Sequence, residues 1–179
     1  MFGCAIIYLI GSWSSITKDA KRRKYDPTLA LKYTDMFFYD LEAERRKATE
    51  VLIKFHEGKN RNWEEIPDRC EIDPVLDVFD DIGFLLQGNQ MSDWVVYQYF
   101  SYWIHLYYQA AAGYVELRRM EDNTMWEHVP DLYDDSMKIQ EHKNQKPRQE
   151  LIWKHDELVR ALKDELAMVP KNNKKDKVQ

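Results

Sequence analysis

An arginine and a histidine, Arg148 and His155, are separated by the six residues QELIWK. Arginine holds a phosphate through its planar donors, and histidine moves a proton near neutral pH. Metal-free RNA cleavage needs both roles. A seven-residue step is close to two helical turns. On one helix the two side chains would project from one face, roughly 10 Å apart along the axis. That is too far to share one phosphate, so a second protomer or a neighbouring helix would have to bring the groups together. The plainer alternative is a salt-bridging first-turn arginine and a buried or interfacial histidine.

Other chemistries fail on residue type. A di-iron bundle needs Glu three residues before His, twice. The residues three before His56, His105, His128, His142 and His155 are Ile53, Tyr102, Met125, Ile139 and Ile152. There is no Walker A loop, GxGxxG, GxSxG or HExxH. No metal or cofactor is expected. Cys4 and Cys70 lack CxxC spacing and read as two free thiols in a reducing compartment.

A second polar set lies in WVVYQYFSYWIHLYYQAAAGYV, residues 94–115, which carry no formal charge. Gln98, Ser101, His105 and Gln109 fall three, four and four apart, which places them on one helical stripe. The stretch reads as the central helix of a bundle, buried on most sides, rather than as a membrane span. His105 is then a core histidine bonded to a neighbouring helix, or a proton-sensing group. The aromatic residues from Trp94 to Tyr108 read as packing, since base stacking would also need a basic groove.

The elements around these residues read as helices. Asp26-Pro27 opens an amphipathic pattern over 29–55, one long helix or two with a kink, closed near Gly58 by a left-handed cap. Asp73-Pro74 opens the next helix, with Asp73 as N-cap, Asp77, Asp80 and Asp81 outward, and Gly88 at its end. Ser92 caps the uncharged helix. Thr124 to Glu127 has capping-box spacing, and Pro130 offers an alternative start near Val129. Pro147 opens a last helix with a stripe of Leu151, His155, Leu158, Leu162 and Leu166, widened by Ile152 and Val159 and ended by Pro170. No period-two pattern with turn chemistry appears, so the fold class is all-α.

The ends differ from the body. The net charge is −5, but residues 1–24 carry +4 and residues 171–179 carry +3, so the body between carries −12. An acidic body argues against broad nucleic-acid binding, and the basic ends suit anionic lipid headgroups. Residues 1–17, MFGCAIIYLIGSWSSIT, contain no charge, and Lys21 to Lys24 are four consecutive cations. Cations after the apolar run do not fit an export signal, and Phe2 to Ile10 offers no polar helix face. The expectation is a short membrane span that includes Phe2, Ile6, Ile7, Leu9, Ile10 and Trp13, with Trp13 at the headgroups. The organisation is then a span with its basic flank at 1–24, a cytoplasmic helical bundle at 25–170 and a disordered basic tail at 171–179. An interfacial helix or a buried oligomer core are the alternatives for the first segment.

ERRKATEVLIKFH, PVLDVFDDIGFLLQGNQMSDWVVYQYFSYWI, GYVELRR and WEHVPDLYDD, spread between Glu44 and Asp135, resemble a bacterial domain-of-unknown-function family. Its small members carry one N-terminal transmembrane helix and a cytoplasmic helical domain. The layout also resembles the small HEPN-like membrane accessory proteins of type VI-B CRISPR systems. Arg148 and His155 fit the loose HEPN spacing, with Gln149 where a small polar residue is usual. That resemblance implies a single-pass, homo-oligomeric protein of the bacterial inner membrane. Its leading helices would gather as a pore, and it would strengthen antiphage defence by an RNA-guided RNA nuclease. A membrane-tethered ribonuclease using Arg148 and His155, and a non-enzymatic scaffold recruiting a cytoplasmic partner, are the competing expectations.

Overall fold

The computed structural model describes residues 27–59, 61–144 and 147–169, without the side chain of Asn144. The expected span with Phe2, Ile6, Ile7, Leu9, Ile10 and Trp13, its basic flank, Cys4 and the tail 171–179 lie outside the described residues. Among the described residues there is no strand, and no helix is long and apolar enough to cross a membrane.

The pattern over 29–55 forms two helices, α1 (Pro27–Asp35) and α2 (Glu42–Glu57), joined by a π turn at Met36–Asp40. In that turn the Leu41 N–H reaches back five residues to the Met36 carbonyl at 2.9 Å. The carbonyl of Phe37, four back, is left without this ordinary helical donor. α2 buries Ala48, Leu52 and Phe55 as the spacing requires, and Arg45 and Thr49 with them. Its end differs from expectation. Gly58 is extended, at φ −67° and ψ 147°, not left-handed. Two 3₁₀ turns follow, Trp63–Glu65 and Arg69–Ile72, and the Trp63 ring stacks on Phe55 with centroids 3.6 Å apart.

α3 (Asp73–Gln87) carries Pro74 in its first turn, but Asp73 is not its cap. The Asp73 carboxylate accepts the Tyr114 hydroxyl at 2.7 Å. The outward aspartates are also engaged. Asp77 accepts the Trp126 indole at 2.8 Å, Asp80 the His128 backbone N–H at 2.8 Å, and Asp81 the Tyr33 hydroxyl at 3.1 Å. One acidic helix edge thus holds α1 on one side and the 122–128 turn on the other. In that turn Trp126 takes φ 48°, a rare conformation for a bulky residue. Its ring is buried, and the Asp77 bond holds it there.

Ser92 accepts from the Val95 N–H at 3.3 Å, as a cap should. A short helical lead-in, Asp93–Val95, and a second π turn, Val96–Phe100, run into α4 (Ser101–Glu121). α4 is the buried centre of the bundle, with Ile104, Tyr107, Ala111 and Tyr114 enclosed. The capping box at Thr124 does not form. Asp122 instead accepts the backbone N–H and hydroxyl of Thr124 at 2.9 and 2.7 Å, and α5 (Val129–Asn144) starts at the alternative site beside Pro130.

The expected single last helix is broken. α6 (Arg148–Leu151) ends in extended backbone at Ile152, and α7 (His155–Met168) begins after Lys154. The Glu157 carboxylate accepts the Lys154 N–H at 2.9 Å, which seals the new helix start. α7 lies against α2 and α4 and buries Leu158 and Leu162. His155 and Ile152 are exposed, and Glu165, outside the apolar stripe, is fully buried.

The α3–α5 approach depends on Gly83. A Cβ there would lie 2.7 Å from the His128 Cβ and 2.9 Å from its carbonyl oxygen. Gly83→Ala should therefore destabilise the bundle by about 1–3 kcal/mol, despite alanine's helix preference of about 1 kcal/mol. A urea midpoint equal to or above that of the parent would contradict this close approach.

Candidate functional site

Titratable side chains gather where the C-terminal segment 147–169 meets the rest of the bundle. They form three groups, and each ties α6, α7 or the link between them to an earlier helix.

The first group surrounds Arg45 and Glu165. Thr49, Leu52 and Phe55 share the inner face of α2 with Arg45, so its guanidinium points inward. It pairs with Glu165 of α7, and both side chains are buried. Arg45 also donates to the Phe37 carbonyl at 3.3 Å, the group that the first π turn leaves without its helical donor. Phe37 and Trp103 flank the guanidinium, at 4.5 and 5.8 Å from their ring centroids. Glu165 further accepts the Trp103 indole N–H at 3.1 Å and the Tyr107 hydroxyl at 3.5 Å. Burial, then the Glu165 charge, pushes the Tyr107 hydroxyl far above the usual phenol range. An open cavity of about 280 Å³, lined by Phe38, Tyr39, Trp103 and Met168 among others, reaches this pair from the surface.

The second group contains Arg148. The guanidinium pairs with Asp134 of α5 and lies 5.7 Å from the Tyr133 ring centroid. His105 of α4 sits beside Tyr133, ring centroids 5.3 Å apart, with its Nε2 buried and unpartnered. Burial first, and the nearby Arg148 charge second, lower His105 to about 4. One turn along, Gln109 accepts the backbone N–H of Trp153 at 3.0 Å. The expected polar stripe is thus shortened at its start. Ser101, His105 and Gln109 face protein, whereas the π turn at Val96–Phe100 shifts the register and leaves Gln98 exposed.

The third group contains His155, His56 and Arg61. His155 Nε2 lies 2.9 Å from an Arg61 guanidinium nitrogen, and the His56 and His155 ring centroids are 5.6 Å apart. His56 Nε2 lies 2.9 Å from the Ala110 carbonyl oxygen.

The expectation that Arg148 and His155 project from one face of one helix is therefore corrected. Extended backbone at Ile152–Lys154 separates them, and they share no partner: Arg148 goes to Asp134 and His155 to Arg61. Sequence reading missed Arg45 and Glu165. The available signal was Arg45 at helical spacing from Ala48, Thr49 and Leu52 on the buried face of α2. Among the described residues no cluster of three His, Cys, Asp or Glu side chains is placed to hold a metal ion. Compared with protein-family models, with curated proteins and with solved structures, the chain matches none.

Two outcomes follow from this geometry. Glu165→Ala leaves the Arg45 charge buried and unpaired and should cost about 3–5 kcal/mol, whereas the double change Arg45→Met with Glu165→Leu should recover most of that loss. Urea denaturation of the three proteins checks it, and a double variant as unstable as the single one would contradict it. His105 is held neutral by burial, so its contribution to stability is complete above the unfolded value of about 6.5. That contribution falls away as pH drops through about 4. Its imidazole resonances in an NMR titration should remain those of a neutral ring at pH 5.

Proposed function

We propose that this chain is a non-catalytic accessory protein of the bacterial inner membrane, anchored by a single span in residues 1–24, with a HEPN-like helical body in the cytoplasm. It assembles with copies of itself and reinforces RNA-guided antiphage defence of the type VI-B CRISPR kind. One observation favours an accessory role over a ribonuclease: Arg148 and His155 stand on separate helices with separate partners. The anchor rests on the sequence. Seventeen uncharged residues precede the cations Lys21, Arg22, Arg23 and Lys24, and the bundle opens just beyond them at Pro27. Basic residues after a span favour a cytoplasmic body. Gly3, Cys4, Ala5 and Gly11 suit close approach of helices in lipid, and an apolar ring of such helices can gate by dewetting.

A scaffold that recruits a cytoplasmic protein is the second reading, favoured by the −12 charge of the body, which suits a basic partner.

The full chain should resist carbonate extraction from membranes, form a discrete oligomer in detergent and release dye from liposomes, and removal of residues 2–17 should abolish all three. A chain that washes off membranes and stays monomeric overturns the proposal. A stable co-purifying partner without dye release selects the scaffold reading. RNA cleavage by the wild type that vanishes in both Arg148→Ala and His155→Ala selects the ribonuclease.

A further inference from the structure

The tautomers of two neighbouring histidines follow from their partners. A carbonyl oxygen only accepts, so His56 Nε2, 2.9 Å from the Ala110 oxygen, carries the proton. The neutral His56 ring is then bare at Nδ1, an atom buried from solvent with no hydrogen-bond partner. A guanidinium only donates, so His155 Nε2, 2.9 Å from Arg61, is the bare nitrogen, and the neutral His155 ring carries its proton at Nδ1. The pair, 5.6 Å apart, therefore holds complementary tautomers: one Nδ1 can accept and the other can donate.

A proton added to His56 can enter only at its buried Nδ1. The resulting cation faces His155 from α7 and Arg61 from the loop after α2. It also lies near the first residue of α7, where the helix dipole is positive. α4 offers it only the Ala110 carbonyl. Asp156, beside His155 in the first turn of α7, is exposed to solvent, and the other carboxylates have partners of their own. Glu57 pairs with Lys163 at 2.6 Å, Asp68 stands 3.9 Å from Lys54, and Glu157 takes the Lys154 N–H. Arg69 donates to the carbonyls of Trp63 and Glu64.

We propose that His56, His155 and Arg61 form a pH-operated latch that clamps the first turns of α7 onto α2 when His56 is neutral and releases them when His56 gains a proton. The far end of α7, about 15 Å along the axis at Glu165, stays held by Arg45 and acts as the hinge. Two imidazoles and a guanidinium are also the groups an acid–base RNA cleavage would use. The buried Nδ1 of His56 has no access to a phosphodiester, which separates a latch from an active site. Burial first, opposed by the Ala110 bond and aided by the charges of His155 and Arg61, holds His56 below its ordinary value. Its contribution to closure is complete above the open-state value of about 6.5 and is lost as pH falls through the lower closed-state value.

Hydrogen exchange on the full chain in detergent micelles, corrected for intrinsic pH dependence, tests the latch. Protection across 155–162 should fall as pH drops from 7 to 5, by about tenfold for each unit between the two His56 values, while 101–115 stays protected. His56→Gln keeps a donor for the Ala110 carbonyl and cannot take up a proton at that position, so its 155–162 protection should fall with pH by less than that of the wild type, what remains coming from protonation of His155 at the Nε2 that accepts from Arg61. Constant protection in the wild type, or an equal loss in His56→Gln, overturns the latch. Should that variant not fold, nitrogen NMR of wild-type His56 decides. Protonation in step with the loss of protection supports the proposal, and a ring still neutral after protection is gone overturns it.

Discussion

The Arg45–Glu165 pair is the contact around which the bundle is organised. Two full charges removed from water stay ionised together only if their remaining donors and acceptors are also met. The fold meets all of them but the Arg45 Nε, from four places. α2 supplies the arginine, α7 the carboxylate, α4 an indole N–H and a phenol, and the π turn after α1 a spare carbonyl. Each element is therefore fixed against the others by a geometry that apolar contacts would not specify. A leucine pair in the same space would give comparable stability with less discrimination between helix registers.

The same reasoning explains how the C-terminal segment stays in place. Leu158 and Leu162 are its only side chains with nearly complete apolar burial within α7, at roughly 1.5–3 kcal/mol each. Ordering the helix costs backbone entropy that two leucines do not offset alone. The hydrogen bonds of the helix and its polar contacts have to offset the remainder. Those contacts are unequal. The Arg148–Asp134 and Lys163–Glu57 pairs are largely exposed and contribute little, whereas the buried Glu165 contacts are shielded from water. The segment is thus firmly fixed at its end and more weakly along its start.

Much of the fold was legible because its signals are composition and period. The uncharged stretch around Tyr107 read as a buried central helix, Ser92 as its cap, and Pro130 as the alternative helix start that the structure adopts. What escaped has no such signal. The π turns at 36–40 and 96–100 need no unusual residue, so the place of the kink, one of the two readings for 29–55, and the displacement of Gln98 were not visible. The break at Ile152–Lys154 contains neither Pro nor Gly, and it undid the shared face assigned to Arg148 and His155. Asp77 and Asp81 of α3 are exposed as read, and Asp80 is half-buried. Their partners are an indole, a backbone amide and a phenol from segments 48 or more residues away, which local spacing does not encode.

Each π turn fits one more residue into a helix than a regular coil would. Deleting one residue from 36–40 would restore an unbroken α-helix and local hydrogen bonding would improve. Yet everything upstream would swing by about 100° around the axis, and the Phe37 oxygen would return to its own helix and leave the guanidinium. Chain length at these two places is therefore under tighter constraint than residue identity, and homologues of this fold would tolerate swaps there far better than gaps.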